Sequence, residues 1–113
     1  MTERPPGSEF SENEQLLIAR LREHGHEDPE ALLMLNAWCD EQKLKANEIN
    51  TAGANIEVDL RRAKLYRAAG FHRDALDSLE AARESAHNAG EKDLYEQAMA
   101  LMDEIDEELG RKS

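Results

Sequence analysis

Histidine and cysteine are the residues of this chain best suited to bind a transition metal or to act in catalysis. They are His24, His26, Cys39, His72 and His87. No two of the histidines have the i, i+4 spacing that places two imidazoles on one helix face. The sequence also lacks a nucleophile-elbow serine and a Gly-rich phosphate loop. It therefore predicts no catalytic residue, metal or cofactor. A metal or enzyme site built from His24, His26 and Cys39 remains an alternative.

A second group with chemical potential is the acidic run between Asp103 and Glu108. Carboxylates bind Ca²⁺ or Mg²⁺ when six or more oxygens can wrap around the ion. A straight helix directs only two or three of them to one point. The run is therefore expected to be a solvated helix face.

A cluster of cations interrupts this acidic chain. Five of the fourteen Lys and Arg residues lie within thirteen positions, namely Arg61, Arg62, Lys64, Arg67 and Arg73. Arg61 and Lys64 are three residues apart, so in a helix both can reach one anion. The alternative is that these cations pair with Glu57, Asp59 and the acidic helices of the same chain.

The elements that carry these residues are helices. Ala, Leu, Glu, Lys and Arg dominate the sequence, aromatic residues make up 4%, and no β-branched run occurs. Ser11 and Glu14 form a capping-box pattern, which predicts a first helix from about Glu12 to Gly25. Asp28-Pro29 predicts a second start, and that helix should reach residues 47–50, with a kink or early end near Lys43 as an alternative.

The second helix is predicted to be the core of the molecule. Its sequence is apolar on nearly all sides between Ala31 and Cys39, with only Asn36 interrupting. That pattern is typical of a helix enclosed by others. The segment Asn50-Thr51-Ala52-Gly53 should then end the helical pattern before the third helix begins.

Helices three and four are predicted to form a hairpin. Apolar residues recur every three or four positions, which places them on one face of each helix. In helix three they are Ile56, Leu60, Ala63 and Tyr66, and in helix four Phe71, Ala75, Leu76, Leu79, Ala82, Ala86 and Ala89. Gly70 and Gly90 supply left-handed caps at the two helix ends.

A fifth helix is expected after Gly90. Its apolar stripe consists of Leu94, Ala98, Leu101, Met102, Ile105 and Leu109. A helix that follows two hairpins with an acidic outer face is typical of a capping helix. The predicted organisation is a flexible tail at 1–10, one all-α domain at 11–110 and a short tail at 111–113.

The second hairpin resembles a tetratricopeptide repeat. The resemblance rests on a small residue and an aromatic in helix three, a glycine turn, and an Ala-Leu pair, a bulky residue and a further alanine in helix four. These are Ala63, Tyr66, Gly70, Ala75-Leu76, Leu79 and Ala82. Asp59 and Arg62 stand where the family has large apolar residues, and no proline closes the unit.

The first hairpin aligns with the second at a shift of 44 residues. The coincident pairs are Leu16 with Leu60, Ala19 with Ala63, Arg20 with Lys64, Leu21 with Leu65, Ala31 with Ala75, Leu32 with Leu76 and Leu35 with Leu79. The resemblance then implies a right-handed stack of two hairpins plus the capping helix.

The resemblance also implies a partner-binding groove formed by helices one and three. In the family, exposed residues of the first helix of each hairpin line such a groove, and basic ones grip acidic peptide termini. By that correspondence the partner-binding residues are Leu16, Arg20, Leu60, Arg61, Lys64 and Arg67. The expected function is non-catalytic protein–protein interaction with a peptide or helix, including acidic ones.

Composition argues against several other classes of partner. A net charge of −11 opposes binding to nucleic acid or to anionic lipid. No apolar stretch has spanning length and no signal-peptide pattern occurs, so a cytoplasmic protein without membrane contact is expected. One cysteine excludes an internal disulfide.

A structural bundle that self-associates through apolar surface on helix two or five is the alternative to a partner-binding module, so the oligomeric state stays open.

Overall fold

The protein is a bundle of five α-helices. The structure, a computed structural model, describes residues 10–25 and 27–112, the last two for their backbone alone. The helices are α1 (Glu12–His24), α2 (Pro29–Ile49), α3 (Ala52–Ala68), α4 (His72–Ala89) and α5 (Lys92–Lys112). No strand occurs in these ranges, so the all-α prediction is confirmed. None of the helices in this part of the chain is long and apolar enough to cross a bilayer.

The first two helices begin where their capping residues predict. The Ser11 hydroxyl accepts from the Glu14 amide at 3.2 Å, and the Glu14 carboxylate accepts from the Ser11 amide at 2.9 Å. Asp28 accepts from the Ala31 amide at 2.9 Å, with Pro29 in the first turn. Helix α2 is continuous from Pro29 to Ile49, so the alternative of an early end near Lys43 is wrong.

The predicted four-residue break after α2 is shorter in the structure. Asn50 adopts a left-handed conformation with φ 57°, which asparagine tolerates, and this ends α2. Thr51 then caps α3 through its hydroxyl, which accepts from the Ala54 amide at 3.1 Å. Ala52 and Gly53 therefore belong to the first turn of α3. A Cβ on Gly53 would lie 3.4 Å from the Glu91 carboxylate and 3.7 Å from Leu94, which are ordinary contact distances and show that the start of α5 lies close to the start of α3.

The α3–α4 hairpin forms as predicted. Gly70 has φ +90°, and the following amide, that of Phe71, donates to the Tyr66 carbonyl at 2.8 Å. Ala75, Leu79 and Ala82 of α4 are fully buried against Ala63 and its neighbours on α3. Small residues at this contact let the two helix backbones come close together.

The enclosed helix is α3, not α2. One side of α3, with Ile56, Leu60 and Ala63, packs in a cluster with α4 and α5. The other side, with Leu65 and Ala69, packs with α1 and α2. The expectation that α2 is the core is wrong, because α2 packs with its one side on α1 and α3 and leaves the other in solvent.

Helix α5 covers α4 and lies beside α3, as expected of a terminal helix. Its Leu94, Ala98 and Ile105 are buried. Glu91 and Leu94 lie near Gly53, whereas Glu104 bonds to Arg67, so α5 and α3 run in the same direction. Helix α5 continues through Gly110 to Lys112.

The 44-residue alignment describes α2 and α4 better than α1 and α3. Ala31 and Ala75 are both buried, as are Leu35 and Leu79. Leu16, however, is exposed while its counterpart Leu60 is buried. Helix α3 is covered on two sides and α1 only on one, so matching residue types have different surroundings.

Candidate partner-binding surface

A buried carboxylate joins the first three helices. Glu14 is only 4% exposed. It accepts hydrogen bonds from the Trp38 indole Nε1 at 2.8 Å and from Arg61 Nη2 at 2.7 and 2.9 Å. Together with the Ser11 amide, these donors satisfy both carboxylate oxygens. The site is thus a compact link between α1, α2 and α3.

The charge of Glu14 is stabilised by its partners. Burial by itself raises the pKa of this carboxyl, because a charge is less stable away from water. The hydrogen bonds from Arg61, Ser11 and Trp38 outweigh that effect, and the pKa of Glu14 lies below its ordinary value of 4.5. Glu14 is therefore ionised at neutral pH and forms a true ion pair with Arg61.

Two adjoining depressions lie beside this link, and we name them together the α1–α2 groove. Both are lined by Asn13, Trp38 and Glu41, so they adjoin at these three residues. The apolar half, of about 230 Å³, is completed by Leu16, Leu17, Met34 and Ala37. The polar half, of about 410 Å³, is completed by Ser11, Glu14, Gln42, Lys45 and Arg61.

Two of the predicted partner-binding residues line this groove, one in each half. Leu16, 63% exposed, lies in the apolar half, and Arg61, half-exposed, lies in the polar half. Among the described residues Arg61 bonds only through Nη2, to Glu14. Its Nε and Nη1 hydrogens are thus available to a ligand. The arrangement can hold an apolar side chain next to a carbonyl or carboxylate oxygen.

Lys64 and Arg67 lie on a different surface. They border a depression of about 540 Å³ between α3 and α5, which we name the α3–α5 groove and which is also lined by Phe10, Ala68, Leu101, Glu104 and Glu108. Arg67 donates to Glu104 at 2.9 Å and to Glu108 at 3.1 Å. Hydrogen bonds from Arg67 lower the pKa of Glu108, whose other oxygen lies 2.9 Å from His72 Nε2. Lys64 forms no ion pair with a described residue.

The remaining two predicted residues do not offer a free binding surface. Leu60 is 4% exposed and fills the core between α3 and α4, because the apolar stripe of α3 faces inward at this position. Arg20 pairs with Asp28 at 3.2 Å and Glu30 at 3.0 Å near the α1–α2 turn. The six predicted residues therefore do not form one groove.

The structure also reveals surface residues that the sequence reading did not assign. Trp38 lines both halves of the α1–α2 groove, and Leu33 and Leu44 on α2 are 71% and 66% exposed. The spacing of Leu33 and Leu44 does indicate a common face, since positions eleven residues apart in a helix are three turns apart. The nearly continuous apolar run around Leu33 instead favoured the prediction that this part of α2 is buried on all sides.

Potential metal ligands stay dispersed. Across residues 10–25 and 27–112, no three side chains of His, Cys, Asp or Glu come together as a metal-ligand group. His26 of the alternative metal site lies outside the described residues. No protein-family model matches the sequence, and comparisons with curated proteins and with solved structures gave no match.

Proposed function

We propose that this protein is a non-catalytic interaction module of the cytoplasm, a tetratricopeptide-like stack of helices that binds a peptide or helix of a partner protein. The α1–α2 groove is its binding site. The proposal rests on one observation: exposed Leu16 and half-exposed Arg61 line the two adjoining halves of this groove, and Arg61 bonds to the described residues only through Nη2. Exposed apolar surface beside oriented polar groups is typical of protein-binding sites.

Each half of the groove has its own part in binding. An apolar side chain of the partner packs on Leu16, Met34 and Ala37. Full burial of one leucine contributes about 1.5–3 kcal/mol, and the part of Leu16 that is now exposed supplies a share of that. A carbonyl or carboxylate oxygen accepts from Arg61, and charge assistance strengthens such a bond. Arg61 is held in place by Glu14, so little side-chain freedom is lost.

The α3–α5 groove is a second candidate site, favoured by Lys64, whose amine forms no ion pair with a described residue. An acidic peptide there would bind Lys64 and compete with Glu104 and Glu108 for Arg67. This retains the predicted grip of Lys64 and Arg67 on carboxylates. The competition inside the chain makes it the weaker of the two candidates.

Peptide selection tests the function. A displayed library of random peptides is selected on the wild-type protein, and the peptides recovered are titrated by fluorescence anisotropy. Substituting Leu16→Gln should weaken binding at least tenfold. Ile49→Gln is the matched control, because Ile49 is 65% exposed but lies at the end of α2 outside the groove.

The outcomes separate the candidate sites. Loss of binding in Lys64→Glu with no effect of Leu16→Gln would move the site to the α3–α5 groove. If no peptide is selected, and light scattering over a concentration series shows oligomers, the self-associating bundle replaces the proposal. Leu16 and Ile49 are exposed and Lys64 is partly exposed, so none of the three variants should unfold, and circular dichroism checks this.

A further inference from the structure

The outer face of α2 carries an apolar strip that extends the α1–α2 groove. Leu33 and Leu44 are three helical turns apart, and Ala37, one turn from Leu33, also lines the groove. The strip, defined as Leu33, Ala37 and Leu44, is about 16 Å long at 1.5 Å per residue. That length matches three turns of a partner helix.

Carboxylates border this strip. On α2, Glu30 and Glu41 lie beside it and are paired, with Arg20 at 3.0 Å and Lys45 at 3.1 Å. Asp40 and Glu48 are exposed and form no ion pair with a described residue. Lys43, three residues from Asp40, is the other cation of α2, so Asp40 and Glu48 leave the border of the strip net negative, on a chain whose net charge is −11.

We propose that the α2 strip and the groove together dock an amphipathic helix with basic residues along its polar edges, an inference that rests on the proposed function and names its partner class. The apolar face of that helix covers Leu16, Leu33 and Leu44. Its Lys or Arg side chains lie against Asp40 and Glu48. Helix-in-groove recognition uses this combination of apolar anchors and charged edges.

A second copy of this chain fits the strip poorly. A two-fold pairing of α2 helices that puts Leu33 on Leu44 would also bring Asp40 of each copy within about one helical turn of the other, because the two-fold axis passes between Trp38 and Cys39. Like charges at this distance oppose such a dimer, whereas a basic helix finds complementary charge at the same positions. The charge pattern therefore favours a different protein over self-association.

Two synthetic helices test the inference. Both carry the same leucine stripe at three- and four-residue spacing, one with Lys and Arg along its polar edges and the other with Glu. Anisotropy titration at about 50 mM salt should show at least tenfold tighter binding of the basic helix. The advantage should shrink at about 1 M salt, where the screening length falls to about 3 Å.

Variants assign the effect to the strip. Leu33→Gln with Leu44→Gln should weaken binding of the basic helix at least tenfold, and Ile49→Gln should not. In the double variant Asp40→Asn with Glu48→Gln, the basic helix should lose most of its binding advantage over the acidic helix. All these positions are exposed, so thermal melts should show little change.

The failures can be told apart. Equal binding of both helices, still sensitive to Leu16→Gln, would overturn the basic partner and leave the proposed function standing. If neither helix nor any selected peptide binds, both proposals fall. A dimer in light scattering that Leu33→Gln dissociates would make a second copy the occupant and overturn the inference.

Discussion

Arg61 donates to both carboxylate oxygens of Glu14, at 2.7 and 2.9 Å, across 47 residues of sequence. The same carboxylate caps α1 and accepts from the indole of Trp38 on α2. The Glu14 side chain therefore connects three helices. Its removal would leave Arg61, the Trp38 indole and the Ser11 amide without their common acceptor. This contact adds a polar link to the apolar packing of the α1–α2 hairpin on α3.

Replacing Glu14 by alanine should lower the free energy of unfolding by about 2–3 kcal/mol. The variant loses a helix-capping interaction and leaves the Trp38 indole and the partly buried guanidinium of Arg61 unpaired. Urea denaturation followed by circular dichroism measures the change. Glu12→Ala is the control, since Glu12 is exposed in the same first turn, and it should change stability by less than about 0.5 kcal/mol. Equal effects of the two variants would show that the link adds no stability.

The same carboxylate predicts a pH dependence of stability. Because the pKa of Glu14 is lowered in the folded state, its stabilising effect is complete above the ordinary value of 4.5. Below that pH the unfolded chain takes up the proton first, so stability is lost as the pH falls towards the folded pKa. The difference in unfolding free energy between wild type and Glu14→Gln should therefore shrink from pH 7 to pH 3.

Other carboxyl groups also make the stability depend on pH, but they are present in both wild type and Glu14→Gln. The amide of Ala31 and the side chain of Arg20 lower the pKa of Asp28, and Arg67 lowers that of Glu108, so wild type also loses stability through them on acidification. Burial raises the pKa of Asp59 despite its ion pair with Arg62, which works in the opposite direction. A wild type–Gln difference that stays constant with pH would show that folding does not lower the pKa of Glu14.

The sequence predicted the helices well because their signals are local. Ser11, Asp28 and Gly90 act on the nearest backbone groups, so their side chain or φ preference is enough to predict a boundary. The α3–α4 hairpin was predictable for the same reason, since Gly70 and the alanine stripe lie within one short segment. Asn50 was harder, because the next cap, Thr51, follows it at once.

The surface was harder to predict because exposure depends on distant neighbours. Leu16 and Leu60 are the same residue at equivalent positions, yet only Leu60 has α4 and α5 packed over it. Likewise Arg61 and Arg67 both look available in the sequence. Their partners Glu14 and Glu104 lie 47 and 37 residues away, and local spacing carries no information about them.

Arg67 should hold the C-terminal half of α5 in place. Its guanidinium bonds to Glu104 and Glu108, about three turns into that helix. In Arg67→Ala, amide hydrogen exchange of residues 104–109 should speed up about fivefold, equivalent to about 1 kcal/mol of local stability. Arg73→Ala is the matched control, because Arg73 is exposed and forms no ion pair with a described residue. Unchanged exchange in Arg67→Ala would show that apolar packing alone holds the helix end.

The alanine contact between α3, α4 and α5 can be tested with two adjacent residues. Ala82 is fully buried in the cluster with Ala63 and Ala98, whereas Ala81 is exposed on the same turn of α4. Ala82→Leu must push closely packed helices apart and should cost about 1–3 kcal/mol of unfolding free energy. Ala81→Leu adds the same side chain in solvent and should change stability by less than about 0.5 kcal/mol. Thermal denaturation of both proteins gives the comparison. If Ala82→Leu were as stable as Ala81→Leu, the close approach of these helices would not depend on the small side chain.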